Sequence, residues 1–381
     1  MVSVDISNIW GELSLPELLG MEQAVSAAHL GLDGDAYRPC SSGELLRLMA
    51  AADNLRSRSE VCVVVGQGDA CLAARAVLEL LQGRERNLTR GQSGDPRIFF
   101  AGDSFSSRQW DALRRQLEGK DVSVIAVSGE TLAPEAGVML RNLKWLLDRR
   151  YGTDEANRRI CAVTHPENGP LSEMARLHGW ELLPGTFGSP FDALSPAALL
   201  PLAVAGLDVA GLISGAEEIR EALDLRSFEN PLWLYAAVQQ LMLRRGKTAE
   251  CLAAWEPDFA ALGCWWQRQY LRSGVPVTHS TPTPAFPGIF ITAVGFAPTD
   301  AHYEIPSDVH DLEGLNTLAG KSLEEAREDA FREFPDRCTE AGIPVLTMEC
   351  GPMNEHTLGA LLYFLGLGSS LSARLAPGTG E

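Results

Sequence analysis

Four short apolar runs, each closed by a small or polar residue, restrict what this 381-residue chain can fold into. Val61-Cys-Val-Val-Val65 ends at Gly66, and Ile98-Phe-Phe-Ala101 ends at Gly102. Val122-Ser-Val-Ile-Ala-Val127 ends at Ser128-Gly129, and Ile160-Cys-Ala-Val163 ends at Thr164. None alternates polar with apolar residues, so each predicts a strand covered on both faces, as in a parallel sheet. Helical patterns fill the gaps. Ala70 to Leu81 is rich in Ala and Leu, and Ser106 is placed to cap a helix carrying Trp110, Leu113 and Leu117. Met139, Leu140, Leu143, Leu146 and Leu147 share one face, and Gly152 supplies the stop. Strand–helix alternation of this kind predicts a doubly wound parallel α/β sheet, whose ligands sit at the carboxyl ends of the strands.

The second half repeats the theme. Leu232 to Arg245 predicts a helix closed by Gly246, Gly288–Gly295 and Ile343–Met348 predict strands, and Ser322-Leu-Glu-Glu325 is a capping box. The Pro-rich segment Thr281–Pro287 reads as a loop. The apolar segment Pro196–Leu212 is expected to start a second lobe or join it to the first. The expected division is a helical extension over 1–49, a first lobe over 50–190 and a second over 191–381.

Charge and cysteine usage exclude several functions. With 32 basic against 50 acidic residues, the formal charge is −18, which argues against nucleic acid and anionic membrane as partners. The apolar stretch Ala193–Leu207 is broken by Pro196 and Pro201 and is too short to span a bilayer. The N-terminus has neither a basic start nor an apolar core, so no secretory signal is expected. The eight cysteines form no Cys-x-x-Cys pair and read as buried reduced thiols of a cytoplasmic protein without structural metal. No cofactor is expected.

At the first strand exit, Val65-Gly-Gln-Gly-Asp-Ala-Cys-Leu-Ala-Ala-Arg-Ala76 resembles the Gly-Ile-Gly-Gly-Ser-x-Leu-Gly-Ala-Arg-Ala segment of glucose-6-phosphate isomerases. The resemblance continues in order. It takes in Phe100-Ala-Gly102, Lys120-Asp121, Leu199-Leu-Pro-Leu-Ala-Val-Ala-Gly-Leu-Asp208, Trp265-Trp266, Thr299-Asp-Ala-His302, Leu315-Asn316, Ala319-Gly-Lys-Ser322 and Leu358-Gly-Ala-Leu361. The collinear set carries weight that no single fragment has. It implies the two-lobed sugar isomerase (SIS) fold and a homodimer, because the family's ring-opening histidine is contributed across the subunit interface. It also implies a sugar or sugar phosphate ligand.

The resemblance further implies where the chemistry should lie. Family members open the sugar ring and then move a proton between C1 and C2 through an enediol, which takes a carboxylate base, a stabilising cation and a phosphate loop. The base position falls on Arg272, within Leu271-Arg-Ser273, and an arginine is no base at neutral pH. The cation's position falls on Pro190, within Gly188-Ser-Pro-Phe191. The phosphate loop has become the shorter Ser128-Gly-Glu-Thr131, with Glu130 where a dianion would sit. The family's C-terminal lysine motif has no match. Only the ring-opening histidine has one, at His302.

The expected site is therefore a relict His302 with degenerate sugar-phosphate loops at Gly66, Gly68, Ser128, Gly129 and Thr131. Two readings follow. One is a non-catalytic sugar-binding, regulatory or assembly protein, or a structural subunit paired with an active homologue. The other is a divergent aldose–ketose isomerase with a rebuilt site, for which Glu130, Asp69, His302 and Asp192 are the candidate acids and bases. Blander roles stand beside these. Gly66-Gln-Gly-Asp69 can be a plain strand-to-helix turn, Asp69 and Glu130 can be helix caps, and Trp265 and Trp266 can be packing residues rather than a sugar platform.

Overall fold

The computed structural model describes residues 2–32, 40–88, 94–283, 288–299 and 301–376. Asp300, Pro284–Pro287 and the terminal tail from 377 lie outside them. The chain divides into two compact units, Gly34–Glu217 and Met1–Asp33 with Glu218–Glu381. These boundaries differ from the expected 49/50 and 190/191. The first residues belong with the C-terminal half, whereas the helix Ser42–Arg56 belongs with the first sheet. The short opening strand β1, Ser3–Asp5, accordingly pairs antiparallel with a strand near the other end of the chain.

The Gly34–Glu217 unit holds strands β2 (Val61–Val65), β3 (Arg97–Ala101), β4 (Val122–Val127), β5 (Ile160–Thr164) and β6 (Glu181–Pro184). They form one wholly parallel sheet in the order β3-β2-β4-β5-β6. All residues of β2, β4 and β5 are buried, as unbroken apolar runs require. Val61, Val63 and Val65 share a core with Leu113 and Leu117 from the helix Ser107–Leu117 and Leu140, Leu143 and Leu147 from Pro134–Tyr151. Cys62 and Val64 point to the opposite face and are equally buried. Ser106 caps its helix by accepting from Gln109 N at 3.2 Å. The segment expected to open the second lobe or join it to the first begins with the helix Pro196–Val204, buried throughout and packed on the helices Ser42–Arg56 and Asp69–Gln82 of this same unit.

The other unit carries β7 (Ala249–Ala254), β8 (Val277–Ser280), β9 (Ile289–Ala297) and β10 (Val345–Pro352) beside β1, in the order β1-β10-β9-β7-β8. All pairs but β1–β10 are parallel. Cys251, Ala253, Ile291, Ala293, Phe334 and Val345 make one of its cores. The capping box is present: Ser322 Oγ accepts from Glu325 N at 3.1 Å and the Glu325 carboxylate accepts from Ser322 N at 2.6 Å. The helix Glu355–Leu375 is long and apolar enough to cross a bilayer, but 83% of that apolar window is buried inside the protein. It packs on the helices Pro231–Arg244, Ala260–Arg272 and Glu22–Leu30, as a core helix does.

Candidate functional site

Because the first sheet is parallel, Gly66, Ser128 and His165 all leave from the same edge. A Cβ on Gly66 would lie 2.6 Å from Val127 O and 3.2 Å from Cys71 Sγ, so glycine lets β2 turn directly against the end of β4. Gly68 has φ +103° and open space around its Cβ position, so it is held to glycine by backbone conformation alone. Gly66→Ala should therefore destabilise by about 1–3 kcal/mol through overpacking. Gly68→Ala should cost a similar amount through strain and leave the β2–β4 spacing unchanged. Denaturant midpoints for both, with a structure of the Gly68 variant, check this.

The loop after β4 spends its polar groups on itself. Ser128 Oγ donates to Thr131 O at 2.8 Å, with Gly129 O at 3.3 Å, and Ser128 N donates to Val163 O at 3.2 Å. Thr164 Oγ1 donates to Gly129 O at 3.3 Å. The Phe187 side chain covers Gly129 and lies edge-on to His165, so the exits of β4, β5 and β6 meet around one aromatic ring. A hydroxyl has one proton, and that of Ser128 is already donated within the loop.

The helix that follows gives an anion little. Pro134 at its first position has no N–H, and Glu135 brings a carboxylate into the first turn, where the helix dipole already favours it. Gln67 Nε2 donates to Gly102 O at 2.8 Å and comes within 3.5 Å of Glu135 Oε2. Asp69 occupies the first turn of the helix Asp69–Gln82 and is buried.

Glu130 corrects an expectation. Its side chain is exposed, so it does not press a charge into a dry pocket. In water two unit charges about 4 Å apart repel by roughly 1 kcal/mol. Glu130→Thr should thus raise affinity for a sugar phosphate by no more than about fivefold, as titration calorimetry would show. Within the loop, Ser128 is committed to internal hydrogen bonds, Pro134 offers no N–H and Glu135 places a carboxylate in the first turn.

Asp192, nominated as a replacement acid, is a cap. It is buried in the short turn Pro190–Leu194, where its carboxylate accepts from Gly188 N at 2.6 Å and Ser189 N at 3.3 Å. Pro190 opens that turn.

The remaining candidates belong to the other unit. Arg272 is exposed at the last position of the helix Ala260–Arg272, where a cation complements the helix dipole. His302 is exposed on a loop pinned at its next residue, since Leu323 N donates to Tyr303 O at 3.0 Å. The nearby Glu325 carboxyl is lowered chiefly by its hydrogen bonds from Ser322. Trp265 and Trp266 are completely buried, so they pack the core and offer no platform to a sugar. Seven cysteines are buried as expected, but Cys264 is exposed. Among the described residues no group of His, Cys, Asp and Glu is arranged to hold a metal.

No protein-family model matches the chain. Individual proteins do. The glucose-6-phosphate isomerase of Enterococcus faecalis is 32% identical over 354 residues, covering 87% of this chain and 79% of that protein. That of Shouchella clausii is 30% identical over 392 residues, covering 94% and 87%. The chain belongs to the glucose-6-phosphate isomerase family. Solved structures agree on the fold. A hypothetical protein from Thermus thermophilus superposes with a TM-score of 0.80 at 22% identity, covering 98% of this chain and 94% of that one. The glucose-6-phosphate isomerase of Chlamydia trachomatis gives 0.71 at 14% identity, covering 92% and 73%. The SIS architecture of the family is thus the architecture of this chain, and its strand exits are where a family ligand would be sought.

Proposed function

We propose that this chain is a glucose-6-phosphate isomerase homologue that does not isomerise, and that it acts in the cytoplasm as a sugar-binding, regulatory or assembly protein. The observation that carries this reading is Arg272. The residue standing at the family's base position is a solvent-exposed guanidinium that ends a helix, and it cannot take a proton from a carbon acid near neutral pH. Pro190 at the position of the stabilising cation, and a phosphate loop closed on its own carbonyls, support the same reading.

General-base catalysis alone typically contributes ~10²–10⁴-fold, and charge stabilisation of the intermediate adds to it. A coupled assay on purified protein with glucose 6-phosphate and with fructose 6-phosphate is therefore expected to give no turnover above background. A rate within tenfold of an ordinary ~10 per second would overturn the reading.

A divergent isomerase with a rebuilt site is the second reading, and the exposed imidazole of His302, at the position of the family's ring-opening histidine, favours it. We further propose a homodimer, since most soluble oligomers close with two-fold symmetry and the family resemblance is collinear through His302. Light scattering should give twice the 41.2 kDa chain mass; a single chain-mass species at micromolar concentration would contradict it.

A further inference from the structure

Cys264 is the exposed one among the eight cysteines, and it has an imidazole beside it. It lies on the outward face of the helix Ala260–Arg272, and its Sγ is 3.6 Å from His279 Nε2. His279 is the third residue of β8, the edge strand of its sheet.

The preceding residue fixes this pairing. A Cβ at position 263 would lie 2.7 Å from His279 Cγ and Cδ2, so only Gly263 lets the ring rest on the helix backbone next to the thiol. The other ring nitrogen, Nδ1, is buried with no hydrogen-bond partner among the described residues. The ring is therefore not held by a bond on its far side, and its Nε2 faces sulfur. Arg268 follows Cys264 by one turn on the same exposed helix face.

We propose that Cys264 and His279 form a reactive thiol site that exchanges with low-molecular-weight disulfides. The thiol proton passes to His279 Nε2 or to water, and the Cys264 thiolate attacks one sulfur of the disulfide RS–SR. The bond from Cys264 Sγ to that sulfur forms as the RS–SR bond breaks. The other half leaves as RS⁻ and takes up a proton. The disulfide is the oxidant, so the step is balanced. Such a site lets a redox change place an adduct on the helix surface between Cys264 and Arg272.

The other cysteines make poor competitors. Burial pushes the thiols of Cys40, Cys62, Cys71 and Cys350 up to about 12 and that of Cys338 up to about 11, and it raises Cys161 and Cys251 as well. Thiols of that kind are nearly all protonated at neutral pH, and the thiolate is the nucleophile.

The test uses the full-length native protein with oxidised glutathione as the probe. Intact mass is expected to show one adduct per chain, mapped by peptide mass to Cys264 and absent from Cys264→Ser. His279→Gln should slow the adduct by about tenfold while leaving circular dichroism unchanged. Should that variant fail to fold, the rate of the wild-type adduct at neutral pH against that of free cysteine decides. A faster adduct than free cysteine gives supports the pair, and one no faster overturns it. A fast-reacting thiol elsewhere in the chain, or an undiminished rate in a folded His279→Gln protein, would also overturn it.

Discussion

Glu250→Gln should be more stable than the parent protein at alkaline pH, and the gap should widen as pH rises. Glu250 is completely buried on β7, where its carboxyl accepts from the Tyr235 hydroxyl at 3.0 Å and the Thr292 hydroxyl at 2.5 Å and meets the Gln239 amide. Burial raises its pKa, against the lowering effect of those three hydrogen bonds. The hydroxyls of Tyr235 and Tyr270 beside it are pushed well up, by burial first and then by the carboxylate, so they stay neutral and add no second negative charge.

A carboxyl whose pKa is raised on folding holds its proton more tightly in the folded state. Its contribution is complete below the unfolded value of ~4.3 and is lost as pH climbs through the folded value. Glutamine keeps an acceptor oxygen and removes the ionisation. Glu250→Ala, by contrast, leaves two hydroxyls and an amide without their acceptor and should cost about 3–5 kcal/mol at about pH 5, a gap that narrows as pH climbs because only the parent carries the titrating carboxyl. Urea unfolding of the three proteins from pH 5 to pH 9 checks both statements. Parallel pH profiles for parent and Glu250→Gln would refute the first.

Trp266→Ala should cost about 3–5 kcal/mol of stability, a large share of the 5–15 kcal/mol that holds an ordinary protein together. The ring is fully buried, with its centroid 5.1 Å from that of Tyr270, and the cavity left behind would be lined by groups that cannot collapse into it. If Trp265 and Trp266 instead met a sugar, the variant would lose ligand affinity with little change in its unfolding midpoint. A denaturant midpoint shifted strongly downward, with any residual binding unchanged in the folded fraction, is the expected result.

Strands β2 to β5 of the first sheet are legible because each is built on a short, largely apolar run. β9 and β10 of the second unit are legible too, but four strands are harder. β7 hides Glu250 within Ala249–Ala254, β8 carries Thr278 and His279 at an edge, β6 of the first unit ends on Pro184, and β1 has only three residues. Each breaks the apolar pattern for a reason that lies in tertiary contacts, such as the hydrogen bonds that satisfy Glu250. Pro196–Val204 falls in an unexpected unit for the opposite cause. A segment apolar on every side fits any core, and nothing local says which one.

The site divides in the same way. The glycines at 66 and 68 announce a tight turn in any sequence, and the substitutions at Arg272 and Pro190 can be seen against the family pattern. The capping role of Asp192, the exposure of Glu130 and the pairing of Cys264 with His279 depend on where loops end up. Of the three, only the short spacing from Ser189 to Asp192, with an acid three residues after a serine, carries a local signal.

A protein without a base that can lift a proton from carbon leaves the sugar's carbon-bound protons in place, and proton exchange tests this more directly than net turnover does. Fructose 6-phosphate and glucose 6-phosphate are incubated with the protein in deuterium oxide and followed by proton magnetic resonance. The C1 protons of the ketose and the C2 proton of the aldose are expected to keep their full intensity over a period in which ~10 turnovers per second would have exchanged the C2 proton and one of the two C1 protons. Solvent deuterium entering either position at a rate that scales with protein concentration would contradict the loss of the base.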